Sequence, residues 1–298
     1  MRISVVIPSY NQAEYLPATL ASVCGQSHPD VEVLVFDGGS TDGSVEILQK
    51  WRSPAGGHPI RWVSGKDRGQ ADAINRGLRE STGDILAYLN SDDIYYPGAL
   101  AAVAAHFRSQ PDSLALYGRA RHLHANGRIM EDYPTEPWNY ERLLGICYLC
   151  QPAVFWRREV IERFGVFDDA LQYVLDYEYW LRVGREAPFH YLAEHVLAGS
   201  RLHEHTKTLS QRVPVHLELA RMLKKYASSS EAVLVWVKHL AHYKSCQTES
   251  PDLANPVGRK RFLAAMAAHC LLYAAELDVP LTDGFLSGLE ADLDYVGL

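Results

Sequence analysis

About the first ninety residues alternate short β-rich apolar runs with helix-patterned segments, and this order constrains the fold more than any other feature. Ile3 to Ile7 is an apolar, β-rich run with Ser4 its one polar residue, ended by Pro8, as expected of a buried parallel strand. From Glu14 to Cys24, Leu16, Leu20 and Val23 share one helical face, with Pro17 near the start. Val31 to Phe36 reads as a second buried strand closed by the turn-rich DGGSTDGS, and Ser44 to Trp51 as a helix capped by Asp42 or Ser44. A strand over Ile60–Val63, a helix over Gln70–Glu80 and a strand over Ile85–Leu89 complete the series. Strand, crossover helix, strand predicts an α/β fold, a Rossmann-like, mostly parallel sheet with helices on both faces. Ligands bind such sheets at the carboxyl ends of strands. The loops PSYN, DGGSTDGS, SGKDRGQ and NSDD are therefore the places to search.

The segment from about Gly98 to His205 mixes strand and helix signals and is expected to complete the same domain, residues 1–205. Beyond Thr206 the apolar spacing becomes helical through Leu217–Tyr226, Ala232–Tyr243 and Arg259–Leu277, broken by SSS and TESPDLANP. Residues 206–298 thus read as a C-terminal helical region. With 298 residues, 47% of them hydrophobic, the chain can bury a core without disulfides or a structural metal. Its five cysteines are odd in number and scattered, which fits reduced thiols. Cys147 and Cys150 form a C-x-x-C inside the apolar LLGICYLC and are expected to be buried thiols rather than a redox or zinc pair. The formal charge of -7 argues against a nucleic-acid footprint. MRISVVIPSYNQ reads as neither signal peptide nor anchor, and Phe262–Ala275 is too short to span a bilayer. The expectation is a cytoplasmic protein without a transmembrane segment, compatible with contact at the inner face of a membrane.

The polar loops carry the candidate chemistry. Asp37, ending the second strand, and Asp67, after the third, are acceptors suited to a base N–H or ribose hydroxyls. Asp37 reads equally well as a turn former, because Asp-Gly-Gly is strong turn chemistry. Asn90-Ser91-Asp92-Asp93 closes the fourth strand. Adjacent carboxylates there repel unless a cation joins them, and hard oxygen ligands suit Mg²⁺ or Mn²⁺ completed by a diphosphate. The competing reading is an Asp-rich helix cap. Neither a G-x-x-x-x-G-K-[ST] loop nor a G-x-G-x-x-G fingerprint is present, so a nucleotide must be held through side chains and a metal. A sugar nucleotide fits that better than ATP or NAD.

Taken together, VVIPSYNQAEYL, VLVFDGGSTDGS, KDRGQADAINRGL, GDILAYLNSDD and LDYEYWLR resemble glycosyltransferase family 2, of the GT-A fold, over roughly residues 1–205. The resemblance implies an inverting transfer of sugar from a nucleotide-diphospho-sugar, most commonly a UDP-sugar, to an acceptor hydroxyl. It implies that Pro8, Ser9 and Tyr10 line the base, with Asn11 nearby, and that Asp37 and Asp67 are acidic nucleotide contacts. Asp92 matches the last aspartate of the D-x-D metal motif, Asn90 replaces its first, and Ser91 lies between them. Asp93 stands beside Asp92 as a rival ligand. Asp176 falls where the family places its catalytic base, although Leu175 replaces the usual acidic neighbour. Glu178 is the rival base. Arg201, His203 and Lys207 match a late motif in which a histidine joins the metal or diphosphate, and Gln151-Pro152 resembles the segment shaping the acceptor side.

Several other features read as structural. Tyr179, Trp180 and Val183 are expected in the core, with Trp51, Trp62, Trp138 and Trp156 mostly core as well. Trp138 could also stack on a sugar. The Arg157-Arg158 pair is expected on a solvated face, and His122 with His124 on an exposed strand edge. The resemblance points to a saccharide or lipid-linked acceptor in bacterial surface polysaccharide or glycoconjugate synthesis. The helical tail could support a homodimer. A nucleotidyltransferase that makes a sugar nucleotide, or a non-catalytic binding module of the same fold, are the alternatives.

Overall fold

A computed structural model describes residues 1–53, 55–204, 206–249 and 255–294. His205 and part of the TESPDLANP break lie outside the described residues. The chain divides into two compact units, Met1–Tyr140 with Cys147–His203, and Glu141–Ile146 with the described residues from Glu204 onward.

The first unit opens with β1 (Ile3–Ser9), α1 (Leu16–Cys24), β2 (Val31–Asp37), α2 (Ser44–Lys50), β3 (Ile60–Ser64), α3 (Gln70–Glu80) and β4 (Ile85–Tyr88). These elements follow the order expected from the sequence, and α3 has the expected limits. Then come β5 (Ile94–Tyr95), α4 (Ala99–Ser109), β6 (Ala115–His124) and β7 (Ile129–Asp132). Helix α5 (Tyr140–Gly145) leads across the unit boundary. A 3₁₀ turn (Gln151–Ala153), β8 (Val154–Arg157), α6 (Arg158–Phe164), α7 (Leu175–Gly184) and β9 (Phe189–Leu202) complete the unit.

The strands form one sheet in the order β3-β2-β1-β4-β8-β6-β9-β5, with β7 on β6. β1, β2, β3, β4, β6 and β9 run one way; β5, β7 and β8 run against them. Side-chain alternation divides the central strands between two layers. Ile3, Val5, Ile7, Val33, Val35, Ile85 and Ala87 point to a core shared with Leu16 and Leu20 of α1, Leu48 of α2 and Leu100 and Val103 of α4. On the other face Tyr88 and Trp156 meet Phe167, and Phe167 packs on Tyr179 of α7. Tyr179, Trp180 and Val183 are buried, as expected of a core face. Leu16 and Leu20 are fully buried, so truncating either to Ala removes about 2–5 kcal/mol.

Two surface expectations do not hold. Arg157 Nε donates to Ser113 O at 2.8 Å and Nη2 to Phe107 O at 2.7 Å, while its guanidinium lies 5.0 Å over the Phe107 ring. Arg158 donates to Gly83 O at 2.8 Å and Ser81 O at 2.9 Å. The pair therefore caps carbonyls at the ends of α4 and α3, where helix geometry leaves acceptors unpaired. His122 and His124 also lie off the sheet edge, because β6 is paired on both sides there, with β7 and β9. Trp138 stacks on Phe189 at 5.0 Å and lies so close to Gly184 that a Cβ there would sit 2.4 Å from its ring, so this indole is packed rather than presented. All five cysteines are free thiols; Cys150 is buried and burial pushes both the Cys147 and Cys150 thiols upward.

The second unit holds α8 (Lys207–Ser210), α9 (Arg212–Leu223), α10 (Ser230–Glu249), α11 (Pro256–Glu276) and α12 (Asp283–Asp294). Ala241, Phe262, Met266, Cys270 and Leu289 form one cluster of its core. Asn255 Oδ1 accepts from Val257 N at 2.9 Å and caps α11. The last helix is not apparent in the sequence because Gly284 and Gly288 dilute its apolar pattern; its signal is Thr282, whose Oγ1 accepts from Phe285 N at 3.2 Å. Among the described residues no helix is long and apolar enough to cross a membrane.

His216 of α9 and His239 of α10 lie with ring centroids 6.1 Å apart, around Trp236. Burial lowers both imidazoles below the usual 6.5, and His239 lowers His216 further. Both are neutral in the folded and unfolded chain at high pH, so their contribution is retained there and lost as pH falls below 6.5. Thermal unfolding at pH 7.5 and 5.0 should show a larger acid-induced loss in the wild type than in His216→Gln/His239→Gln. An equal loss in the two chains would refute this.

Candidate active site

The carboxyl ends of the parallel strands bring three loops together. Asp37, 3% exposed at the end of β2, accepts from Gly39 N at 3.0 Å, Ser40 N at 2.9 Å and Ser64 Oγ at 2.6 Å through Oδ2. Its Oδ1 accepts from Ser40 Oγ at 2.5 Å. This carboxylate thus builds the turn and ties β2 to β3. Asn11, in the left-handed region at φ 51°, accepts from Thr41 N at 2.9 Å and so fastens the loop after β1 to the loop after β2. Ser9 N-terminal to it is buried and its Oγ has no partner, whereas the Tyr10 ring is 62% exposed. Pro8 pairs with Phe36 in the sheet. Asp67 accepts from Gly69 N at 2.9 Å, and its carboxylate lies against Gly38: a Cβ there would fall 2.9 Å from Oδ2. Asp37 and Asp67, far apart in sequence, therefore flank one glycine.

The NSDD segment is anchored from several sides. Thr19 Oγ1 contacts Ser91 O at 2.9 Å and Asp93 O at 2.7 Å, and Ser91 is buried. Asp93 is buried and accepts from Arg201 N at 2.8 Å, with Asn90 Nδ2 3.5 Å from its other oxygen. Burial first, and then Asp92, push its carboxyl well above the ordinary carboxylate range. Asp92 keeps more solvent access: its side chain is 18% exposed and its Oδ2 lies 3.0 Å from His203 Nε2. His203 stacks on Tyr15 at 4.8 Å, and the Arg201 guanidinium lies 5.1 Å over the same ring while donating to Asp92 O at 2.7 Å. No local sequence pattern marks Tyr15 as part of the site; only the fold carries the start of α1 to the end of β9.

Asp176 lies in the first turn of α7, with Oδ1 accepting from Tyr177 N at 2.8 Å. It retains partial solvent access, yet the protein around its carboxyl pushes it up to about 6. After burial, the charges of Asp176 and Asp93 both push the Tyr88 hydroxyl and the Cys150 thiol upward. Glu178 is buried and committed to Arg182, with oxygens 3.0 and 2.9 Å from Nε and Nη2. Lys207 starts α8 in the helical unit. Among the described residues no three His, Cys, Asp or Glu side chains converge as a metal cage.

Residues 4–165, more than half of the chain, match the family model for glycosyl transferase family 2, and the chain belongs to that family. A PGL/p-HBAD biosynthesis glycosyltransferase of Mycobacterium bovis (strain BCG / Pasteur 1173P2) is 32% identical over 180 residues, 60% of this chain and 68% of the relative. An uncharacterized glycosyltransferase of Nostoc sp. is 29% identical over 177 residues, 56% of this chain; the match spans only 54% of that relative. Chondroitin synthase of Escherichia coli is 26% identical over 191 residues, 64% of this chain and 27% of that protein. Among solved structures, S. aureus TarS 1–349 in complex with UDP-GlcNAc gives a TM-score of 0.63 at 18% identity, over 99% of this chain and 89% of that one. Mannosyltransferase PcManGT from Pyrobaculum calidifontis, in complex with GDP-Man and Mn²⁺, gives 0.57 at 19% identity, over 99% and 85%. These likenesses show the fold, which is GT-A.

The saturated Asp37 carboxylate separates its two sequence readings. Asp37→Asn replaces one acceptor oxygen by a donor facing N–H or O–H groups. The loss of about 1.5–3 kcal/mol should lower the melting temperature of the ligand-free chain by several degrees. An unchanged melting temperature would mean that Asp37 serves only a ligand.

Proposed function

We propose that the chain is an inverting glycosyltransferase that moves a sugar from a nucleotide-diphospho-sugar to an acceptor hydroxyl. The observation that carries this reading is the Asp92–His203 pair, 3.0 Å apart at the ends of β4 and β9. Its donor set fits a divalent ion. One carboxylate oxygen and one imidazole nitrogen, side by side and next to the strand ends, are ligand types that Mn²⁺ and Mg²⁺ accept. Mn²⁺ or Mg²⁺, when bound, would supply positive charge to the leaving diphosphate. Asp92 and His203 would hold it. The GDP-Man and Mn²⁺ bound to PcManGT and the UDP-GlcNAc bound to TarS support a metal and a nucleotide sugar, with UDP the first nucleotide to test.

In this reading Ser9, with its unpartnered Oγ, and the exposed Tyr10 meet the nucleoside beside Pro8. Asp67 offers the oxygen beyond Gly38, and Asp37 holds the loop that frames it. Asn90 and Ser91 set the backbone leading to Asp92. Asp176 takes the proton of the acceptor hydroxyl as that oxygen attacks the anomeric carbon. The bond from that carbon to the diphosphate oxygen breaks on the opposite side, inverting the configuration. The acceptor class is a saccharide or a lipid-linked hydroxyl in surface glycoconjugate synthesis, supported by the relative named for PGL/p-HBAD biosynthesis.

The reaction's pH dependence follows from the base. A carboxyl raised to about 6 is an active base only above that pH, so kcat/KM should rise through about pH 6 and then level. Asp176→Asn should reduce turnover about 100- to 10,000-fold and spare nucleotide binding. Thermal-shift screening with UDP-, GDP- and dTDP-sugars, with and without Mn²⁺, identifies the donor. Asp92→Ala should abolish the metal-dependent part of that shift. Full turnover by Asp176→Asn, or an undiminished shift in Asp92→Ala, would sink the assignment.

A further inference from the structure

The amides of Gln70, Asn90 and Gln151 form a chain whose direction is set from one end. Gln151 Nε2 donates to Tyr88 O at 2.8 Å, and a backbone carbonyl can only accept. Gln151 Oε1 is therefore left to accept from Asn90 Nδ2, at 3.1 Å. Asn90 Oδ1 accepts in turn from Gln70 Nε2 at 2.7 Å. Turning any one amide over would set acceptor against acceptor or donor against donor, so the Tyr88 carbonyl orients all three. The second flank of Asn90 agrees: Nδ2 lies 3.5 Å from Oδ2 of the buried Asp93. An acid at position 90 would present a lone pair to Gln151 Oε1. That is a physical reason for asparagine where the family motif starts with aspartate.

The three amides come from separate segments. Gln70 opens α3, directly after the loop carrying Asp67; Asn90 follows β4, two residues before Asp92; Gln151 opens the 3₁₀ turn next to Cys150. We propose that Gln70 and Gln151 are positioning residues, which lock Asn90 in one amide orientation through the Tyr88 carbonyl and so hold the Asp67 loop, the Asp92 segment and the Gln151 turn in fixed register. The importance of that register to transfer rests on the glycosyltransferase reading. The amide chain itself does not.

A reversal experiment tests the direction. Gln70→Glu puts a carboxylate against Asn90 Oδ1, and with Gln151 in place Asn90 cannot turn to meet it. Gln151→Met removes the anchor, so that only the longer 3.5 Å contact with Asp93 opposes the turn by which Asn90 donates to the new carboxylate. In the full chain, Gln70→Glu alone should lower the melting temperature by roughly 3 °C or more, and by under half as much when added to Gln151→Met. Affinity for UDP or GDP with Mn²⁺ should follow the same order, about tenfold weaker for Gln70→Glu alone and within about threefold in the Gln151→Met background. Equal losses in the two backgrounds overturn the proposal, since residues acting only as independent packing would add. If Gln70→Glu alone fails to fold, a folded double variant supports the proposal and an unfolded one overturns it. Should none of UDP, GDP and dTDP bind the wild type with Mn²⁺, the donor assignment fails, while the melting temperatures still decide the amide chain.

Discussion

The buried Asp93 carboxylate accepts the Arg201 backbone N–H and faces the Asn90 amide, and through these contacts it joins the end of β4 to the end of β9. Burying a carboxyl group is costly unless its polar atoms are met by partners, so the segments around it have little freedom. Arg201, fixed at its backbone by Asp93, lays its guanidinium over Tyr15 and reaches Asp92 O. Tyr15 in turn stacks on His203, and His203 meets Asp92. The more accessible acid of the pair is thus held by the buried one.

Neighbouring carboxylates so close in sequence have different environments, and that difference divides their work. Asp93 is enclosed and spent on the fold, while Asp92 keeps solvent access and an imidazole partner. The same division separates Glu178, closed into a bidentate pair with Arg182, from Asp176, whose raised carboxyl stays reachable. Asp37 and Asp67 repeat it across Gly38, one saturated by its own loop and the other accepting one backbone N–H. In each case one acid is closed into the frame, and under the proposed function the other does the chemistry.

The frame was legible in the sequence where period and turn chemistry agree. β1 and β2 are mostly apolar, with Ser4 and Glu32 their inner polar residues, because both faces of a parallel sheet are covered, and α3 keeps a clean apolar face between Gly69 and Ser81. β5 is two residues long and exists only because β9 lies beside it, so no local pattern could mark it. Arg157 and Arg158 looked like a solvated pair, since a sequence does not reveal which helix carbonyls lie within reach. The loops that hold the candidate site were identifiable from their positions after strands. The stacking of Tyr15 on His203 and the amide chain through Asn90 were not, because they join residues that only the folded sheet brings together.

The central claim is that Asp92 and His203 hold a divalent ion between them at the diphosphate. Anomalous scattering from crystals grown with Mn²⁺ and UDP or GDP measures this directly. The account predicts a Mn²⁺ peak bonded to both an Asp92 oxygen and His203 Nε2 and completed by diphosphate oxygens. A bound nucleotide whose Mn²⁺ is held by other residues, or that binds with no Mn²⁺ beside Asp92 and His203, would contradict it.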